Sequence, residues 1–133
     1  MKIVICGSMT FAQEMDTTRK NLQERGFDVF VSRNIKDFLK GAVSQEKKEL
    51  KIALNVFRDY FNEIKNADAI LVLNYEKKGI PNYVGANALI EMAFAHVLGK
   101  RIFLLNPCPT MDYSDEIEAL QPTILNGDLS LIN

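Results

Sequence analysis

The sequence predicts a three-layer α/β domain: a doubly wound parallel sheet of about five strands with helices on both faces. Three observations predict it. Short, continuously apolar runs recur at residues 2–6 (KIVIC), 69–73 (AILVL) and 101–105 (RIFLL), the pattern of strands buried on both faces. Between them lie segments whose apolar residues return every three or four positions, the period of an amphipathic helix. The runs end in polar or chain-breaking residues, Gly7-Ser8, Asn74 and Asn106-Pro107, as the loops of a parallel sheet require. Right-handed crossovers then place helices on both sides.

Residues 2–6 form the first strand, closed by Gly7-Ser8. A helix over residues 11–25 follows, with Phe11, Met15, Thr18 and Leu22 on one face and Gly26 placed for a left-handed C-cap. Residues 28–31 (DVFV) are the second strand. Residues 34–43 are weakly patterned, with Gly41 as a break. Residues 44–66 carry the clearest helical period: Leu50, Ala53, Leu54, Phe57, Tyr60, Phe61 and Ile64 share one face, Lys47, Lys48, Lys51, Arg58 and Glu63 the other, and Ser44 is a candidate N-cap.

The third strand is 69–73, and the loop 74–83 contains Gly79 and Pro81, which exclude regular structure throughout. A helix over 87–98, stopped by Gly99, leads to the fourth strand, 101–105. Pro107 and Pro109 break the chain, and a short helix over 114–120 takes Ser114 as cap. The C-terminal residues allow two arrangements. One is a hairpin of 123–125 and 129–132 about Asn126-Gly127, a dipeptide suited to a type I′ turn; the other is a fifth short strand with a trailing tail. No repeat or linker divides the chain, so residues 1–133 read as one domain.

A chain of 133 residues can bury one hydrophobic core. With 16 basic against 17 acidic residues and a net charge of −1, it lacks the basic excess of a nucleic-acid-binding surface. No apolar run approaches the ~20 residues of a membrane span, and the four apolar residues after Met1-Lys2 are too few for a secretory core. Cys6 and Cys108 stand far apart without a CxxC partner. Neither a disulfide framework nor a zinc site is expected, and the expected location is cytoplasmic.

In doubly wound sheets ligands bind outside the carboxyl ends of the strands, at the switch in strand order. The loops Gly7-Ser8-Met9-Thr10, Asn74-Tyr75-Glu76 and Asn106-Pro107 leave from there. Gly7-Ser8 is either a turn with a Ser or Thr N-cap or a cradle in which Ser8 and nearby amides hold a small polar or phosphate group. The second and third glycines of a dinucleotide fingerprint and a Walker A lysine are missing. Glu91 falls near the first turn of the 87–98 helix, among Ala88, Leu89, Met92, Ala93 and Phe94. It either complements the helix dipole, worth about 0.3–1 kcal/mol at exposed sites, or is a carboxylate in a dry pocket that acts as nucleophile or stabilises a developing cation.

His96 lies five residues beyond Glu91, off its helical face, so no dyad is expected. The stripe Phe57, Tyr60, Phe61 is core or a subunit contact. The acidic cluster 112–118 is a solvated loop and helix start, with Tyr113 and Asp115 able to cover a pocket.

The segment Gly85-Ala86-Asn87-Ala88-Leu89-Ile90-Glu91-Met92-Ala93 lies between ADAILVLN (67–74) and Gly99-Lys100-Arg101-Ile102. It resembles the nucleoside 2-deoxyribosyltransferase family and its relatives, the 2′-deoxynucleoside 5′-monophosphate N-hydrolases. That family shows an ADAILV strand, a G-T-x-x-E-x-G segment opening a helix, and GKPI before the next strand. The motif covers about residues 68–105, and the element order covers most of the chain.

The resemblance implies a Rossmann-like fold and places Glu91 as the nucleophile that attacks the anomeric carbon of the deoxyribose as the base leaves. Asn87-Ala88 stand in place of Gly-Thr, and Ala93 replaces the last glycine. The family aspartate that protonates the base has no clear match: Tyr83 occupies about its place, and Glu76 is the nearest carboxylate able to substitute. Gly7 and Ser8 sit where the family's first loop contacts sugar or phosphate. With Met9, Asn74, Gly85 and Asn87 they make up the expected substrate-binding set.

The implied reaction breaks an N-glycosidic bond, with a carboxylate facing the positive charge on the sugar and a proton donor near the base. Transfer to another base, or to water, separates transferase from hydrolase. No metal or organic cofactor is implied. The implied partner is a small-molecule nucleoside or nucleotide, and the implied assembly a homodimer or larger homo-oligomer with a neighbour's residues closing each site. Two alternatives stand beside it. One is a non-catalytic nucleotide-binding regulatory protein of the same fold. The other is a hydrolase of the cytokinin-activating phosphoribohydrolase type, whose Pro-Gly-Gly-x-Gly-Thr run this chain lacks.

Overall fold

The computed structural model describes residues 1–41, 48–53 and 55–133, the side chains of 49, 50 and 53 excepted. Strands β1 (Lys2–Gly7), β2 (Asp28–Phe30), β3 (Ala69–Leu73), β4 (Arg101–Leu104) and β5 (Thr123–Ile124) form one sheet in the order β2-β1-β3-β4-β5. Every pairing is parallel. Helices α1 (Ala12–Glu24), α2 (Ile35–Leu39), α3 (Lys48–Ala53), α4 (Val56–Lys65), α5 (Ala86–Val97) and α6 (Ser114–Ala119) connect them.

Alternate residues of each strand point to opposite faces, and both faces are apolar. Ile3, Ile5, Leu71, Leu73 and Phe103 pack with Met15 and Leu22 of α1 and Phe38 of α2. Val4, Cys6, Ile70, Val72 and Leu104 pack with Ile64 of α4, Met92 of α5 and Ile117 of α6. This is the three-layer doubly wound, Rossmann-like architecture that the apolar runs predict, in the strand order of the flavodoxin-like class.

Two helical segments and one helix cap depart from the sequence expectation, while the C-terminus takes the second of its two expected arrangements, a fifth short strand. Residues 34–43 contain α2, which buries Ile35 and Phe38; five residues are too few to show a period. Within the predicted helix over 44–66 the described residues form two helices, α3 and α4, because Asn55 adopts a left-handed φ of 52° between them. Asn tolerates that conformation, and apolar spacing does not register it. The proposed Ser44 cap lies outside the described residues, as do the side chains of Leu50, Ala53 and Leu54.

At the C-terminus Asn126 and Gly127 both take positive φ, and the Asp128 N–H donates to the Leu125 carbonyl at 3.0 Å, as in a type I′ turn. The turn joins no hairpin. Thr123 and Ile124 pair parallel to β4, and Leu129–Leu131 make a 3-10 turn. Ser114 is the first residue of α6, not its cap; it accepts from the Met111 N–H at 2.6 Å. Among the described residues no helix is long and apolar enough to cross a membrane.

Candidate functional site

β1 feeds α1 on one face of the sheet and β3 feeds α5 on the other, so a crevice opens between their carboxyl ends. A cavity of about 290 Å³ lies there. Gly7, Ser8, Met9 and Thr10 line it from the β1 exit, and Lys77, Lys78 and Tyr83 from the β3–α5 loop. The start of α5, residues 85–88, and Lys51 of α3 close it.

Gly7 makes the close approach of the two strands possible. Its φ is +147°, and a Cβ there would stand 2.9 Å from the Leu73 carbonyl oxygen, a position suited to glycine alone. Ser8 then caps the 3-10 turn Met9–Phe11, accepting from the Thr10 N–H at 3.3 Å, and its hydroxyl lies 2.8 Å from that of Thr10. Lys77 Nζ donates to Ser8 Oγ at 2.7 Å, bridging the two exit loops.

The β3–α5 loop has its own framework. Lys77 and Ile80 exchange main-chain hydrogen bonds around Lys78 and Gly79, both at positive φ, the two-residue I′ geometry. Glu76 accepts from the Gly79 N–H at 2.8 Å and is exposed. Its carboxylate holds this turn and is not among the described residues lining the cavity. Tyr113 donates to the Val84 carbonyl at 2.6 Å, tying the α6 region to the loop. Asn74 is fully buried, and its amide donates to the carbonyls of Asn106 and Pro107 at 3.0 and 3.1 Å. It braces the loops from beneath and does not line the cavity.

α5 begins at Ala86 with Gly85 as N-cap and no side-chain cap, and its first i→i−4 bond runs from Leu89 to Gly85. The N–H groups of residues 86–88 therefore have no helical acceptor, and these residues wall the cavity. Glu91 is the sixth helical residue, in the second turn and not the first, and no acidic residue occupies the first turn. Since the dipole effect fades within the first turn, complementing the helix end is not its role.

Glu91 is 4% exposed. It follows Asn87 and Ala88 by four and three residues, so it lies directly beneath two residues of the cavity wall. Facing it is the fully buried Cys6, whose thiol is pushed well above its ordinary pKa by burial first, then by the Glu91 charge and a hydrogen bond to Glu91.

The cavity's own charge is positive. Lys51 Nζ donates to Asn87 Oδ1 at 3.1 Å, and the ammonium groups of Lys77 and Lys78 lie 5.6 and 6.0 Å from the Tyr83 ring centre. Burial lowers the Lys77 pKa, and the charges of Lys78 and Lys51 lower it further. No carboxylate is among the described residues lining the cavity.

Of the sequence-predicted residues, Gly7, Ser8, Met9, Tyr83, Gly85 and Asn87 converge on this cavity, Glu91 stands behind its wall, and Asn74 and Glu76 lie apart from it. Thr10 and the three lysines were not singled out. The Lys77-Lys78-Gly79 run at a strand exit was the available signal, whereas Lys51 reads as part of a solvated helix face. His96 is exposed, and among the described residues no group of three or more His, Cys, Asp or Glu could hold a metal. The arrangement can draw an anion to the crevice, with one buried carboxylate behind its wall.

No protein-family model matches the sequence, and no curated protein matches it. Among solved structures, the chain is similar to the CMP N-glycosidase BcmB of Clostridium botulinum, over 93% of this chain and 85% of that one, with a TM-score of 0.53 and 15% identity. At that identity the likeness is one of fold: both chains share the Rossmann-like α/β architecture.

Proposed function

We propose that the protein cleaves or transfers the N-glycosidic bond of a nucleoside or nucleoside 5′-monophosphate, with Glu91 as nucleophile. The observation that carries this reading is the buried carboxylate placed one turn beneath Asn87 and Ala88, at the wall of the crevice cavity. A neighbour of like fold is by its name a CMP N-glycosidase, which supports N-glycosidic chemistry on nucleotides as the reaction class.

In the proposed reaction the C1′–N bond breaks with its electron pair going to the base, and a Glu91 oxygen bonds to C1′. Positive charge building on the sugar is stabilised by the carboxylate. Tyr83, on the cavity wall, is the residue placed to hydrogen-bond the departing base; Glu76, outside the cavity, is not assigned that role. Water or a second base then displaces Glu91 from C1′. The homo-oligomeric assembly is proposed on the resemblance alone, and light scattering of the purified chain tests it.

A second reading, binding without chemistry, draws on the absence of any carboxylate from the described cavity lining. One assay separates the two: incubation with deoxynucleosides and their 5′-monophosphates, with and without acceptor base, followed by chromatography for free base. Base release is the expected result. Saturable binding with no base released from any compound favours the second reading.

A further inference from the structure

We infer that the ligand of this cavity is a phosphorylated nucleoside and not a free one, its phosphate held by Lys51, Lys77 and Lys78; the inference rests on the reading above for its nucleoside part. The three ammonium groups come from two elements on different sides of one cavity, α3 and the β3–α5 loop. They differ from the ion-paired cations of the outer surface. Lys2 pairs with Glu63, Lys20 and Arg19 with Asp16, and Arg33 with Asp59 and Glu63. Around the cavity, Lys51 and Lys77 rest on neutral oxygens instead, the Asn87 amide and the Ser8 hydroxyl.

Those contacts aim the ammonium groups without neutralising them. An ammonium has three N–H donors, so Lys77 keeps two after bonding Ser8. Like charges gathered in a partly desolvated cavity repel: burial first, and then the charges of Lys78 and Lys51, lower the Lys77 pKa. A phosphate monoester carries about −1.5 to −2 charges at neutral pH and three acceptor oxygens. It would relieve the repulsion and meet the Ser8 and Thr10 hydroxyls and the N-terminal end of α5. A neutral nucleoside offers nothing to the three charges. Lys51 bonds Asn87, one helical turn from Glu91.

The test is titration calorimetry on the full chain with paired probes: the four deoxynucleosides and cytidine, each against its 5′-monophosphate, with inorganic phosphate as a separate arm, at low and high salt. At least one monophosphate is expected to bind about 10-fold or more tighter than its nucleoside, and to weaken as salt rises. Lys77→Met is expected to remove most of that advantage, lowering monophosphate affinity at least about 10-fold more than nucleoside affinity, and Lys77→Arg to keep most of it. Equal affinity within every pair, or a monophosphate affinity unmoved by both Lys77→Met and Lys51→Met, overturns the inference. Phosphate binding as tight as that of every nucleotide also overturns it, since the site would then be one for the free anion.

Base release, followed in the same samples, keeps the two proposals apart. Tight monophosphate binding without base release sinks the glycosidase reading and leaves the phosphate site standing. Base release that is equally fast from nucleoside and nucleotide does the reverse.

Discussion

Asn74 and Asn106 bond each other across the carboxyl ends of β3 and β4: the Asn106 main-chain N–H donates to Asn74 Oδ1 at 2.8 Å, and the Asn106 amide donates to the Asn74 carbonyl at 3.0 Å. Asn74 returns a bond to the Asn106 carbonyl at 3.0 Å. A residue expected on sequence grounds to touch substrate is thus a staple between the two loops flanking the crevice. Asn74→Ala would strip partners from several buried polar groups at once, each costing about 1–3 kcal/mol when unsatisfied. The expected loss of stability is about 2–4 kcal/mol, read as the shift in a urea unfolding midpoint at constant slope.

Gly7→Ala is expected to be destabilising by about 2 kcal/mol or more. The new Cβ would meet the Leu73 oxygen at 2.9 Å, and the backbone would have to hold φ at +147° with a side chain present. Because β1 and β3 lie in register from Ile3↔Ala69 to Gly7↔Leu73, relief requires the strand ends to part. Thermal unfolding of the variant checks this; an unchanged melting temperature would contradict it.

The two thiols should separate cleanly in a titration with an aromatic disulfide reagent. Cys6 is fully buried, and Cys108 is half-buried. Burial raises the Cys108 pKa, and the charge of Glu118 adds to the shift. Since the thiolate is the reacting form, Cys108 is expected to react slowly at neutral pH and faster as pH rises. Cys6 should become reactive only on unfolding. Two fast thiols in the native protein would contradict the packing of β1 against α5.

Asp16 supplies a pH-dependent contribution. Its carboxyl lies below the ordinary carboxylate range, chiefly through the hydrogen bond from Arg19, with Lys20 adding to it. A depressed folded-state pKa stabilises the fold above the unfolded value of 3.8, and that stabilisation is lost as pH falls through the folded pKa. Asp16→Asn should therefore lower stability by about 0.5 kcal/mol at neutral pH, as expected for a pair near the surface. Below both pKa values the variant and the wild type should unfold alike.

How much of this was legible in the sequence follows from what each signal can carry. The β3 run AILVL is buried at every position, and a five-residue apolar run between breakers has few other uses. The α1 face of Met15, Thr18 and Leu22 follows from spacing alone and is buried. Periodicity fails where one residue changes the sign of φ, as at Asn55, and where an element is as short as α2.

At the site, the loop residues Gly7, Ser8, Met9 and Tyr83 meet because strand exits must. The lysines meet only in three dimensions: Lys51 and Lys77 are 26 positions apart and look like ordinary solvated charges. Asn74 illustrates the opposite error, a polar residue at a strand exit that serves the protein and not the cavity.

The central claim, that the Glu91 carboxylate reacts with the sugar, is tested most directly by the rate of base release from Glu91→Gln against wild type at saturating nucleotide. Gln keeps the volume and removes the nucleophile. The expected result is a loss of at least about 10³-fold in kcat with nucleotide affinity and melting temperature close to wild type. Base release within about 10-fold of wild type would contradict the account and leave Glu91 as a buried structural residue.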